Sequence, residues 1–319
     1  MNISEIGGEF GLIERITRDP ASKQIIKGIG DDAAVVRFNN NYLIFTIDSQ
    51  VEGDHFCFDY FTPEQIGKKA VEVNVSDIGA MGGKPKFFLV SLIIPKTTEV
   101  EIIENIYKGF WKICSKYDIE IIGGNIAHGK QLIIDISMIG EAPKQNLKYR
   151  SDAKPGDAIM VSGYLGSSTA GLNLFLNKIS GFDEVKRKYL EPEAKFHKVE
   201  PFLQYINAMI DVSDGLASEV TRICEHSKTG AIIYGDSVPI EPITREAGAA
   251  CHKDALDFAL YGGEDFELVY TVSEKNLDKV KGFVVGKITD EKTIKILKNG
   301  KEEILTGHGY DHFLNNVNI

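Results

Sequence analysis

Apolar and polar positions change their period several times along the chain, and each change marks a predicted element. Tyr42 to Asp48 alternates as a half-buried strand does. Thr62-Pro63-Glu64-Gln65 then sets a capping threonine, a proline at the first helical position and a glutamine three residues after the cap, which predicts a helix running to about Met81. Lys86 to Ile94 reads as a strand, Glu99 to Tyr117 as an amphipathic helix, and Ile119 to Ile122 and Gln131 to Ile139 as two more strands. Around Asn146 to Gly156 the chain turns polar and is punctuated by Pro and Gly, as interdomain connections are. The pattern then starts again. Asp157 to Val161 reads as a strand, Ser167 to Asn177 as a helix after a Gly/Ser turn, and helices continue to about Ile206. A strand at Met209 to Val212, a helix at Leu216 to His226, strands at Ala231 to Tyr234 and Glu267 to Val272, and a hairpin turning at Asn299-Gly300 complete the reading. The expectation is α/β with mixed sheets, in two domains spanning residues 1–148 and 149–319.

Length and composition fit that division. At 319 residues the chain exceeds the usual size of one hydrophobic core, so two domains are the default expectation and one large α/β domain is the alternative. Its longest apolar run, Phe87 to Ile94, lies between Pro85 and Pro95 and is far shorter than the roughly 20 residues a bilayer-spanning helix needs. The first residues have neither a basic start nor an apolar core, so no secretory signal is expected. Cys57, Cys114, Cys224 and Cys251 are scattered, which suits reduced residues in a cytoplasm better than a disulfide frame.

A net charge of −10 without a Lys/Arg cluster argues against a nucleic-acid partner. If so acidic a protein handles phosphorylated small molecules, divalent cations must mediate. Acidic residues do sit beside glycines or at element ends in five places: Asp31-Asp32, Asp48, Asp77, Asp211 with Asp214, and Glu264-Asp265. Taken singly, each reads more readily as a turn or cap residue than as a functional one. Asp77 is harder to explain that way, because it follows Ile66, Ala70 and Val73 on the inward face of the predicted helix. An inward carboxylate needs a cation, a base or a proton, and oxygen donors without a His/Cys cluster favour Mg²⁺, Mn²⁺ or Ca²⁺. Asp211 and Asp214 straddle a strand end and a helix start, where α/β folds open their ligand crevice, although Asp214 is equally placed to cap the helix at Leu216. Gly79 to Pro85 lacks the spacing of a phosphate-binding loop, and neither a protein-kinase signature nor a nucleophile elbow is present.

Taken in order, the segments GIGDDAAV from Gly28, TIDSQVEGDHF from Thr46, NVSDIGAMGGKP from Asn74, KPGD from Lys154, IDVSDGL from Ile210 and GGEDFEL from Gly262 resemble the thiamine-monophosphate kinase family. The likeness extends from Gly8-Glu9-Phe10 to Gly309-Tyr310-Asp311-His312-Phe313. That family is part of the superfamily of aminoimidazole ribonucleotide synthetase and selenophosphate synthetase. The resemblance implies that fold, a homodimer formed through the N-terminal domains, and Mg²⁺-dependent phosphorylation of thiamine phosphate by ATP. It also implies metal positions at Asp32, Asp48, Asp77, Asp211 and Asp214, assisted by Thr46 and Ile47, with Asp32, Asp77 and Asp214 central to catalysis. Gly124, Asn125, Arg150 and Ser213 match ATP contacts, and His55, Glu264 and Tyr310 match contacts to thiamine phosphate. The chain departs from the family at Gly123-Gly124-Asn125-Ile126, where Gly-Gly-Asp-Thr is usual, so one metal position is expected to lose its charge. Two rival readings follow: another ATP-dependent enzyme on the same scaffold, or a non-catalytic nucleotide or thiamine-phosphate binder.

Overall fold

The computed structural model describes residues 2–18, 20–305, 309–310 and 312–313; Asp311 of the matched C-terminal motif lies outside them. The first half comprises α1 (Gly8–Ile16), β1 (Ile25–Lys27), β2 (Ala34–Phe38), β3 (Asn41–Val51), α2 (Pro63–Ala80), β4 (Lys84–Ile94), α3 (Val100–Tyr117), β5 (Glu120–His128) and β6 (Ile133–Ala142). Its strands form one sheet in the order β1-β2-β3-β6-β4-β5. Only β4 and β5 run parallel, and α3 supplies the crossover such a pair requires.

The second half comprises β7 (Ala158–Val161), α4 (Ser167–Leu176), α5 (Asp183–Leu190), β8 (Ile206–Asp211), α6 (Leu216–Ser227), β9 (Gly230–Tyr234), α7 (Pro242–Ala250), α8 (Ala255–Tyr261), β10 (Leu268–Val272), β11 (Phe283–Thr289), β12 (Ile294–Lys298) and β13 (Lys301–Ile304). They include a second sheet in the order β13-β12-β9-β11-β7-β10-β8, parallel only between β12 and β9. Every residue of β7 and β10 is buried, because helices cover one face of this sheet and short 3₁₀ segments cover the other.

The predicted helix cap forms. Gln65 N donates to Thr62 Oγ1 at 3.3 Å and Thr62 N donates to Gln65 Oε1 at 3.0 Å, so two backbone donors at the helix start are satisfied. Thr62→Ala is expected to cost about 1 kcal/mol in denaturant unfolding. The hairpin at Asn299-Gly300 also forms: Lys298 pairs with Lys301, and both turn residues have positive φ, at 51° and 75°.

Other expectations need correction. In place of continuous helices to Ile206 there is α5 followed by 3₁₀ turns at Phe196–Lys198 and Glu200–Tyr205, because Pro192 and Pro201 interrupt an α-helical ladder. β5 runs on to His128 rather than stopping at Ile122. Gly123-Gly124 looks like a turn in sequence, yet a Cβ on Gly124 would stand 2.0 Å from the Val90 carbonyl oxygen, so glycine is what lets the two strands close up.

Helix α2 joins the halves. It is buried nearly all round, with Ile66, Val71 and Ile78 packed in the core of the first half and Ala80 packed with Phe196, Met209 and Tyr270 of the second. A Cβ on Gly79 would lie 2.4 Å from Phe196 Cβ, which shows how closely the helix and that segment approach. Glu72 on the same helix is buried and receives hydrogen bonds from Ala194 N at 2.8 Å, Lys116 Nζ at 2.8 Å and Tyr117 Oη at 2.9 Å. The join is therefore polar as well as apolar.

Candidate active site

β2 pairs with β3 only from Asn41 to Phe45, so beyond that point β3 presents a free edge. Thr46 and Asp48 point toward α2 from this edge, while the Ile47 side chain lies on the opposite face and leaves only its backbone for the cleft. Asp77 comes up from α2, Asp32 from the Gly-rich turn ahead of β2, and Asp211 from the end of β8. Asp32, Asp77 and Asp211 each offer an oxygen within 4.8 Å of the others.

Few partners offset this charge. Thr46 Oγ1 donates to Asp77 at 2.5 Å, Ser76 Oγ donates to Asp211 at 2.5 Å, and Arg150 Nη2 donates to Asp32 at 2.5 Å. The second oxygen of Asp32 is buried with no hydrogen-bond partner. Burial first, and then the neighbouring carboxylates, push Asp77 and Asp211 well above the usual carboxylate range. Asp48, which lies against Asp77, is pushed up to about 7, again chiefly by burial. A buried set of oxygen donors with surplus negative charge and an unpaired oxygen fits a hard divalent cation.

Asp214 is held differently. The helix cap at α6 is Gly215, whose φ is 106° and which makes no side-chain cap bond, so Asp214 is not spent on capping. Its carboxylate instead pairs with Arg222, which also contacts Glu219 at 3.1 Å. Arg222 was not singled out in the sequence; its only signal there is the three-residue spacing from Glu219. Ser213 sits beside this group, with its backbone oxygen accepting from Glu264 N at 2.8 Å.

That hydrogen bond leads to the other end of the cleft. Glu264 has a φ of 66°, a left-handed backbone that a non-glycine residue adopts only where its surroundings impose it. Its Oε1 pairs with Lys69 Nζ at 2.6 Å. Tyr310 Oη donates to Asp54 at 3.2 Å, and the His312 ring stands 5.0 Å from that of His55. Burial holds His55 below its usual range, and its Nδ1 accepts from Val51 N at 3.3 Å, which leaves Nε2 to carry the proton. Lys69 carries no signal in the sequence beyond its place on the predicted helix.

Most of these groups line one cavity of about 1260 Å³, which also extends over Phe45, Ile47 and Leu89; Asp211, Glu219 and Lys69 are buried and do not line it. Arg150 and Ser213 line it; Gly124 and Asn125 do not, being on the edge strand β5 with β6 and β4 between it and β3. Asn125 pairs with Ser91, on the sheet face that turns away from α2. Cys57, Cys114, Cys224 and Cys251 are all free thiols.

Two family profiles match the chain: AIR synthase related protein, N-terminal domain, over residues 30–142, and AIR synthase related protein, C-terminal domain, over residues 154–298. Fold and cleft thus define a two-domain protein of the AIR synthase-related class. Within that class, the thiamine-monophosphate kinase of Bacillus subtilis (strain 168) is 37% identical over 328 residues, covering 96% of this chain and 99% of its own. That of Buchnera aphidicola subsp. Schizaphis graminum is 36% identical over 324 residues, again covering 96% and 99%. The solved structure of AaThiL complexed with AMPPCP and TMP superposes with a TM-score of 0.89 at 33% identity, covering 98% of this chain and 99% of that one. The chain belongs to the thiamine-monophosphate kinase family, and is accordingly a phosphotransferase.

Proposed function

We propose that this enzyme transfers the γ-phosphoryl group of ATP to the phosphate of thiamine phosphate, giving thiamine diphosphate and ADP, with divalent cations held by Asp32, Asp77 and Asp211 and assisted by Asp48 and Thr46. The observation that carries this reading is the convergence of three carboxylates, one of whose oxygens is orphaned, at a point where Asp32 and Asp77 line a large cavity. Bound Mg²⁺ would neutralise and align the two phosphate chains, which is most of what phosphoryl transfer asks of a protein.

The protein's own groups then have separate tasks. No general base is needed, because a phosphate monoester with a second pKa near 6 is mostly dianionic at neutral pH. Arg150 and Ser213 orient the nucleotide, and Asp214, already balanced by Arg222, faces the phosphates from the second half. His55, Glu264 and Tyr310 hold the thiamine end, where a neutral His55 can donate from Nε2 without repelling a cationic ring. Purified protein given ATP and thiamine phosphate, with and without Mg²⁺, tests this. Formation of thiamine diphosphate and ADP only with the metal is expected, and its absence at every Mg²⁺ concentration overturns the reading.

The domain boundary is drawn at residues 148 and 149, between the stretches matched by the two family profiles. The free thiols agree with a reducing, cytoplasmic setting. A homodimer through the first domain is supported by the sheet face opposite α2, where Phe45, Ile47, Phe87 and Leu89 are 37–65% exposed. Gly123 and Asn125 lie on that same face in register with Leu89 and Ser91, so a second copy there would also cover the departing motif. Phe87→Glu is expected to convert a dimer to a monomer in light scattering; a dimer unaffected by the substitution, or a wild-type monomer, removes this face from the assembly.

A further inference from the structure

One buried cation has no part in the reaction as described. Lys69 is 1% exposed and lies two helical turns before Asp77 on α2, so Lys69, Val73 and Asp77 form one stripe along a single rigid element. Its ammonium is held on several sides. Nζ contacts Glu264 Oε1 at 2.6 Å, donates to the His55 carbonyl oxygen at 2.9 Å, and stands 5.0 Å and 5.3 Å from the ring centres of Tyr189 and Phe61. A buried ammonium is costly unless it is paired in this way. The pairing is also specific: Lys69 belongs to the first half and Glu264, which lines the cleft, to the second.

We infer that Lys69 is the positioning residue for thiamine phosphate, fixing the Glu264 carboxylate and the His55 backbone so that both meet the substrate in one orientation. Lys69 does not line the cleft itself, whereas Glu264, His55 and Tyr189 do, so it acts through them. It takes Oε1 of Glu264, which leaves Oε2 for a donor or cationic ring on the ligand. The ion pair with Lys69 Nζ at 2.6 Å holds the Glu264 side chain in one orientation. Because α2 also carries Asp77, the helix sets the distance between the substrate's ring system and the metal carboxylates. This role rests on the functional reading above.

Lys69→Met keeps an unbranched apolar stem against Phe61 and Tyr189 and removes the ammonium with its contacts to Glu264 and the His55 carbonyl oxygen. Steady-state kinetics should show KM for thiamine phosphate raised about tenfold or more, the scale of one lost charge-assisted contact, while KM for ATP stays within about twofold. Glu264→Gln should do likewise, and the double variant should be no worse than the poorer single, since the two residues act as one unit. Thermal unfolding of each variant separates this from a merely structural role, which lowers Tm or raises both KM values together. An unchanged KM for thiamine phosphate in folded Lys69→Met, or strictly additive effects, overturns the inference while leaving the function intact. A wild-type protein that forms no thiamine diphosphate overturns the function and this inference with it.

Discussion

Asp77→Asn is expected to lower the rate of thiamine diphosphate formation by about a thousandfold, the scale of several kcal/mol of lost transition-state stabilisation at a metal site. The fold should survive, and the reason is local. Asn keeps an acceptor for Thr46 Oγ1, whose hydrogen bond to Asp77 is 2.5 Å. It also relieves repulsion within a group whose burial already disfavours the charged form. Metal-free Asp77→Asn should therefore melt no lower than the metal-free wild type, and Mg²⁺ should raise its Tm less. Calorimetry beside a turnover assay checks both parts. A wild-type rate would remove Asp77 from the machinery, whereas a collapsed melting curve would make it a structural residue.

The same charge predicts how the metal-free protein answers to pH. An ordinary aspartate titrates near 3.9 in an unfolded chain, whereas folded Asp48 is pushed up to about 7, with Asp77 and Asp211 also well above the usual range. Groups raised in the folded state favour folding at low pH and lose that contribution as pH climbs through the folded value. Asp31, raised to about 6, and Glu219 and Asp265, raised to about 7, work in the same direction. His55, His197 and His226, each held below its usual range by burial, work in the opposite direction near pH 6 but are outnumbered. Chelated protein should melt about 5 °C lower near pH 7.5 than near pH 5.5, and added Mg²⁺ should restore more at the higher pH. Asp48→Asn should flatten the profile. Equal melting temperatures across that range would mean that the cluster carries less charge than its geometry implies.

Much of the candidate site was legible along the chain because it is built from short motifs in which an acidic residue sits next to the glycine or strand end that places it. The inward direction of Asp77 followed from helical spacing alone, and α2 does bury that face. The weaker elements went unread. α1, β1, β2, α7, α8 and β11 carry too little periodicity over too few residues to stand out, and they form because neighbours supply the other side of each contact. Asp214 shows the limit for a single side chain: its spacing suited a helix cap, and only packing revealed that Gly215 ends the helix and Arg222 takes the carboxylate.

The chain's own pattern thus determined the strands and helices with strong periods, the capped start of α2, the Asn299-Gly300 turn and the inward direction of Asp77. Each of these depends on residues within a few positions of one another, where spacing is equivalent to geometry. Tertiary structure decided which carboxylates share one point, that Lys69 of the first half reaches Glu264 of the second, and that Gly124 and Asn125 stand apart from the aspartates within a single chain. Those outcomes depend on how two sheets pack about one helix, and residues separated by more than a hundred positions carry no local record of their separation in space.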